Sequence, residues 1–313
     1  MNDVPASNRL PRLIEGLLAG ERRALARAIT AVETEGDDGR AILRAIQQRL
    51  GRALVVGFTG PPGAGKSTLI SAYVGELRRR RKTAAVIAVD PSSPISGGAI
   101  LGDRIRMSEH DGDDGVFIRS LAARGALGGL NPTAMRATDV ADAAGYDVVI
   151  LETVGAGQSE VDVAEVAEIP VVVCAPGLGD DIQAIKAGIL EIARVLVVNK
   201  SDLPLAHQTR RQLMSMLELR ERGARVPVLA VTATTGDGIA ALADAIETAA
   251  QATGGQARIE HSRRLVRKLV ADAAGRLVRD RLIARDDAAF EQLCQAIARG
   301  EIDVLTAAAR LVE

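Results

Sequence analysis

The chain has no tryptophan, two tyrosines and three phenylalanines, so aromatic residues make up only 2% of its 313 positions. A core must then be assembled from Ala, Val, Leu and Ile, and a hydrophobic content of 47% supplies enough of them. Cysteine is as scarce: Cys174 and Cys294 are too distant in sequence to suggest a disulfide framework. Three scattered histidines, His110, His207 and His261, offer none of the CxxC or HxxxH spacings of a protein-built metal site. Charge of one sign is missing too. The 39 Lys and Arg against 40 Asp and Glu leave a formal charge of −1, which removes the field that would draw a chain to nucleic acid or to an anionic membrane. The opening MNDVPASNRLPR lacks the apolar stretch of a secretory signal. The longest apolar runs, such as VVVCA, fall far below the roughly 20 residues of a membrane span. The expectation is a soluble, cytoplasmic protein that binds neither nucleic acid nor membrane.

What is present is a change of period along the chain. From Leu10 to Leu50 apolar residues recur at helical spacing, through Leu13, Leu17, Leu25, Ile29, Val32, Ile42 and Ile46, and EGDDG at 35–39 breaks the region into at least two helices. From Arg52 onward short continuous apolar runs alternate with helical stretches: ALVVGF, TAAVIAVD, GVFIRS, YDVVILE, IPVVVCA, VLVVN and VPVLAV. Runs that are apolar on both faces and separated by helices imply a mostly parallel sheet covered on both sides, an α/β fold. The last of its helices, DGIAALADAIETAA, is expected to end near QATGGQ at 251–256, with further helices beyond. The division expected is an N-terminal helical region over 1–51, an α/β domain over 52–253 and a C-terminal helical arm over 254–313. RRRRK at 78–82 reads as a solvated helix end, where cations suit the dipole.

Residues 60–68 read GPPGAGKST, between the strand ALVVGFT and the helix STLISAYVGEL. In that context GxxxxGK[ST] is a phosphate cradle and the fold becomes that of a P-loop NTPase. Gly60, Gly63 and Gly65 permit turns that aim successive backbone N–H groups inward, with Ala64 between them, and Thr68 follows in the first turn of the helix. The helix adds its N-terminal partial charge, Lys66 reaches the β- and γ-phosphates, and the Ser67 hydroxyl suits Mg²⁺. Two strands end in carboxylates that could serve the metal or the reaction, Asp90 of TAAVIAVDP and Glu152 of YDVVILETVG. Gly155 follows, with a bare backbone able to bond the γ-phosphate.

VLVVNKSDLP at 195–204 places NKxD directly after a buried strand. Asp202 can accept from guanine N1–H and the 2-amino group together, a pairing adenine cannot offer, worth roughly 1–3 kcal/mol by analogy with base readout. Asn199 would brace the loop and the Lys200 stem would stack on the base. After the next strand, Thr232 and Ala233 stand where a backbone N–H could meet guanine O6. GTP or GDP is the expected ligand, with Mg²⁺.

These strings, together with AVDPSSPISGGAILGDRIRM, ILETVGAGQSE and PGLGDDIQAIKAGILEIA, resemble the MeaB/ArgK family of GTPases, once described as LAO/AO transport-system kinases. The likeness is close from about Leu54 to Asp202. It implies a GTPase that hydrolyses GTP slowly alone and faster with a partner. Its role would be as chaperone of an adenosylcobalamin-dependent acyl-CoA mutase of the methylmalonyl-CoA mutase type, gating cofactor loading and protecting or reactivating the mutase. By the same resemblance, residues 90–107 are a first switch in which Asp103 is a metal-side or water-orienting acid. Residues 152–160 are a second switch, residues 177–188 relay nucleotide state to the mutase, and the C-terminal arm is a candidate for homodimerisation. Two other readings stay open: a metallochaperone-type GTPase, which would want a Cys/His cluster, and a transport-system kinase, which the guanine-reading NKSD disfavours.

Overall fold

The seven apolar runs become seven strands. The computed structural model describes residues 9–34, 36–90, 108–110, 112–122, 132–153, 166–177, 192–218, 226–284 and 288–312. Within them β1 (Leu54–Thr59), β2 (Ala84–Asp90), β3 (Val116–Ala122), β4 (Val148–Thr153), β5 (Ile169–Cys174), β6 (Val195–Val198) and β7 (Val228–Ala230) form one sheet in the order β3-β2-β4-β1-β5-β6-β7. Every pairing is parallel. The described helices are α1 (Arg9–Leu18), α2 (Arg22–Glu33), α3 (Asp37–Ile46), α4 (Lys66–Arg79), α5 (Pro132–Ala143), α6 (Ala206–Glu218), α7 (Ile239–Ile283), α8 (Ala288–Ala298) and α9 (Val304–Val312).

Every residue of β4, β5 and β6 is buried, which is why these strands show no polar alternation: helices cover both faces. On one face Val56, Phe58, Ile150 and Val171 meet Leu69, Ile70 and Tyr73 of α4 and Ile239, Leu242 and Ile246 of α7. The Phe58 and Tyr73 rings lie 5.7 Å apart. Each such side chain contributes about 1.5–3 kcal/mol by leaving water. On the other face Val172, Leu196 and Val198 pack with Leu213 of α6, and α5 lies against β2 and β4.

The N-terminal region forms three helices, of which α2 packs on α5. Gly20, at φ 78°, separates the first two, and Glu21 N–H donates to Gly16 O at 2.9 Å as the chain turns. Arg22 donates to the carbonyl of Val116 at 2.6 Å, covering a backbone acceptor where the edge strand β3 begins. The buried Asp142 carboxylate accepts from the N–H groups of Gly51 (2.5 Å), Arg52 (3.1 Å) and Ala53 (2.7 Å), fixing the entry of the chain into β1.

One local expectation is met and one is corrected in part. The helix that begins at Ile239 breaks within QATGGQ, where Gly254, at φ 62° and ψ 158°, leaves helical geometry at a kink, and a second helical stretch follows to Ile283. RRRRK ends a helix, with Arg79 and Arg81 exposed, but it is not solvated throughout. Arg80, with only 24% of its side chain exposed, bonds Glu76 at 2.7 Å and Asp244 at 2.8 Å. Lys82 reaches Glu247 at 2.8 Å, and Arg78 holds Asp113 at 2.9 Å. Part of the basic run therefore ties the end of α4 to the first turns of α7.

The contacts divide the chain into Met1–Arg258 and Ile259–Glu313. The second unit holds the later part of α7 with α8 and α9, and Asp303 caps α9 by accepting from the N–H groups of Leu305 and Thr306. Among the described residues no helix is long and apolar enough to cross a membrane.

Candidate functional site

The central strand β1 delivers its last residue, Thr59, to the carboxyl edge of the sheet, where the loop 60–65 turns into α4. Gly60 has φ 140°, and a Cβ there would run into the Val173 carbonyl of the neighbouring β5. Gly65 has φ 84°, and its Cβ would sit 2.6 Å from Asn199 Nδ2. Neither position admits a side chain. At Gly63 (φ 80°) a Cβ would meet no atom, so the glycine serves conformation alone.

The loop leads directly into the amino end of α4, a concentration of unshared N–H groups and partial positive charge. Lys66 is buried with its ammonium folded back over the loop, donating to Gly60 O at 2.7 Å and to Pro61 O at 3.2 Å. Ser67, also buried, donates to Glu152 Oε1 at 2.7 Å. Glu152 is level with Phe58 of β1 and Ala88 of β2 in the register, so strand pairing brings this carboxylate to the head of the helix. A buried hydroxyl and a buried carboxylate in contact are hard oxygen donors of the kind magnesium takes, and so fit that ion. Asp90 ends β2, although its side chain is not among the described groups, and Asp103 and Gly155 lie outside the described residues. Among the described residues no three of His, Cys, Asp and Glu gather into a cluster that could hold a metal ion.

The second half of the site is built by β6 and β7. Asn199 follows β6, its N–H held by Cys174 O at 2.8 Å. Its side chain, 2% exposed, joins three segments: Nδ2 donates to Ala64 O at 2.9 Å and Gly65 O at 3.3 Å, and Oδ1 accepts from Ala233 N–H at 3.2 Å. Lys200 adopts φ 54° and donates from Nζ to Gly63 O at 2.9 Å, so its stem lies across the gap between the phosphate loop and the NKSD turn. Leu203 N–H closes that turn on Lys200 O at 3.0 Å, leaving Asp202 exposed at its tip.

Between these loops is a cleft of about 240 Å³, bounded by Gly65 and Thr68 at one end, by Lys200, Asp202 and Leu203, and by Thr232, Ala233 and Thr234. The Thr232 N–H is bonded to Asp237 O at 3.0 Å, so it is already engaged, and the Ala233 N–H is shared with Asn199. Leu203 and Thr234 line the cleft without having been singled out in the sequence. Both adjoin the motifs that were, and adjacency was their only signal.

A parallel sheet with a glycine loop opening a helix at its carboxyl edge is that of a P-loop NTPase. The sequence matches the family Methylmalonyl Co-A mutase-associated GTPase MeaB over residues 25–291, and the chain belongs to that family of GTPases. It is 43% identical to a Pyrococcus abyssi protein named as a GTPase, over 96% of this chain and 94% of that one. It is 39% identical to the mitochondrial methylmalonic aciduria type A homolog of Mus musculus, over 74% of this chain and 61% of that one. Among solved structures it is similar to that of a LAO/AO transport system kinase, with TM-score 0.73 and 31% identity, covering 99% of this chain and 98% of that one.

Proposed function

We propose that this GTPase is the nucleotide-driven chaperone of an adenosylcobalamin-dependent acyl-CoA mutase of the methylmalonyl-CoA mutase type. In this reading it gates cofactor loading and protects or reactivates the mutase. The observation that carries the guanine-nucleotide reading is the knitting of the phosphate loop to the NKSD turn through Asn199 and Lys200, which makes cradle and base cleft one site. The mutase is supported by the family to which the chain belongs and by the methylmalonic aciduria relative. The same site favours GTP hydrolysis over the kinase activity named for the LAO/AO structure, because Asp202 suits guanine and not adenine.

The chemistry is GTP plus water giving GDP and phosphate, in which the protein mainly positions groups and offsets charge. Lys66 would exchange the carbonyls of Gly60 and Pro61 for β- and γ-phosphate oxygens, which accept more strongly because they are charged. The loop amides and the head of α4 would hold the β-phosphate, and Thr68 borders the path towards the nucleoside. Ser67 and Glu152, with Asp90 and Asp103, would hold Mg²⁺, which supplies charge neutralisation to the triphosphate. Asp202 would accept from the base, with Ala233 and Thr232 flanking its O6 side, and Gly155 would sense the γ-phosphate. Residues 178–188 of the proposed relay lie outside the described residues.

The test is GTP turnover with and without methylmalonyl-CoA mutase. Slow turnover alone and at least a tenfold acceleration by the mutase are expected; equal rates would remove the partner from the reading while leaving the nucleotide site.

A further inference from the structure

The middle residue of the NKSD turn is not a spacer. Ser201 Oγ lies 2.9 Å from Thr232 Oγ1, a side chain that is 5% exposed. Ser201 N–H donates to Val231 O at 3.0 Å, so both the backbone and the hydroxyl of Ser201 hold the loop after β7. That loop is itself rigid. Thr232 N–H bonds Asp237 O, and the Thr232 carbonyl accepts from Gly236 N–H at 3.0 Å and Thr235 N–H at 3.2 Å. Asp202 is the next residue after Ser201, and Ala233 and Thr234 follow Thr232 along the wall of the same cleft.

We infer that the Ser201–Thr232 hydroxyl pair is a positioning latch for base selection, setting the distance between the Asp202 carboxylate and the opposite, amide-bearing wall of the base cleft. The inference rests on the guanine reading proposed above. Asp202 can engage N1–H and the 2-amino group together only if it stands in the plane of a base held from the other side. Bidentate recognition tolerates little displacement, because both hydrogen bonds must stay close to linear. Nothing else on the Ser201 side chain would be bonded: among the described residues its hydroxyl meets the Thr232 hydroxyl alone. A tie of this kind should show in the choice of base more than in the grip on phosphate, which belongs to the loop 60–68.

The experiment measures dissociation constants of GDP, IDP and pyrophosphate for the wild type, Ser201→Ala, Thr232→Val, the double variant and Ser201→Thr. Inosine lacks the 2-amino group, so the GDP-to-IDP ratio reads the bidentate contact. Each single loss of hydroxyl should weaken GDP by about three- to tenfold, the range of one lost hydrogen bond, and shrink the ratio by most of that factor. Pyrophosphate binding should not change. The double variant should be no worse than the weaker single, because the two hydroxyls act as one contact, and Ser201→Thr should restore selectivity. Ser201 is only half-buried, so Ser201→Ala decides the matter even if Thr232→Val fails to fold. The latch is overturned if GDP and IDP weaken equally, if the double loss is the product of the single losses, or if Ser201→Ala keeps the wild-type ratio. A wild type that binds no guanine nucleotide would instead sink the reading on which the latch rests.

Discussion

At the scale of residues, Lys66 shows what the cradle requires. Its ammonium is buried and bonded to two loop carbonyls, Gly60 O and Pro61 O, and is thus held within the loop that would receive the phosphates. Lys66→Ala removes that charge without touching the strands that carry the fold. Wild-type protein should gain about 2.7 kcal/mol of apparent stability at GDP concentrations of roughly 100 times the dissociation constant. In a thermal melt with and without GDP, the variant should lose most of that upward shift; an undiminished shift would move the phosphate site elsewhere. These residues were legible because glycine, lysine and serine at that spacing have few other uses between a strand and a helix. Asn199 was legible as a brace, but not its three partners, since its contacts to Ala64, Gly65 and Ala233 span segments far apart in sequence. The turn TGDG at 235–238 is legible from its glycines, but not that the Asp237 carbonyl occupies the Thr232 amide.

Strands and helices were read with differing success, and the reason is burial. All seven strands could be seen because each is built on a short, mostly apolar run, and β4, β5 and β6 are buried on both faces. The helix break was legible too, because Gly254 of QATGGQ is where helical geometry fails. The basic run that ends α4 gives no sign of its ion pairs, because the acidic partners Asp244 and Glu247 lie far along the chain on α7. Helix α5 carries a feature that no pattern announces. Asp139 is half-buried near Asp142, and burial together with that neighbouring carboxylate pushes its pKa up to about 7 from an ordinary 3.8. The folded chain then keeps a proton that the unfolded chain releases. Stability from this group is full below about pH 3.8 and is lost as the pH rises towards 7. Its slope is at most about 1.4 kcal/mol per pH unit, reduced by whatever solvent reaches the group. Asp139→Asn should therefore match the wild type near pH 4 and become the more stable protein by pH 8. Urea unfolding across that range is the check, and a difference independent of pH would contradict the assignment.

The whole molecule adds a question of partners. In the unit Ile259–Glu313, Ile259, Val266, Val270 and Leu277 are between 49% and 69% exposed on α7, at steps of seven, four and seven residues. Such steps keep them on one stripe of the helix, the seam a second helix covers in a coiled coil. We propose that a second copy of the chain covers it. Val266→Lys with Leu277→Lys should halve the mass seen by light scattering, and a wild type already monomeric at tens of micromolar would refute the proposal. Magnesium and mutase both depend on one central claim, that a guanine nucleotide lies between the cradle and the NKSD turn. Isothermal titration of GDP, ADP and xanthosine diphosphate into the wild type and into Asp202→Asn tests it most directly. The account predicts one GDP per chain, no measurable ADP binding, and a variant that prefers the xanthine nucleotide because its amide can donate to the 2-oxo group. ADP bound as tightly as GDP, or a variant with unchanged preference, would contradict it.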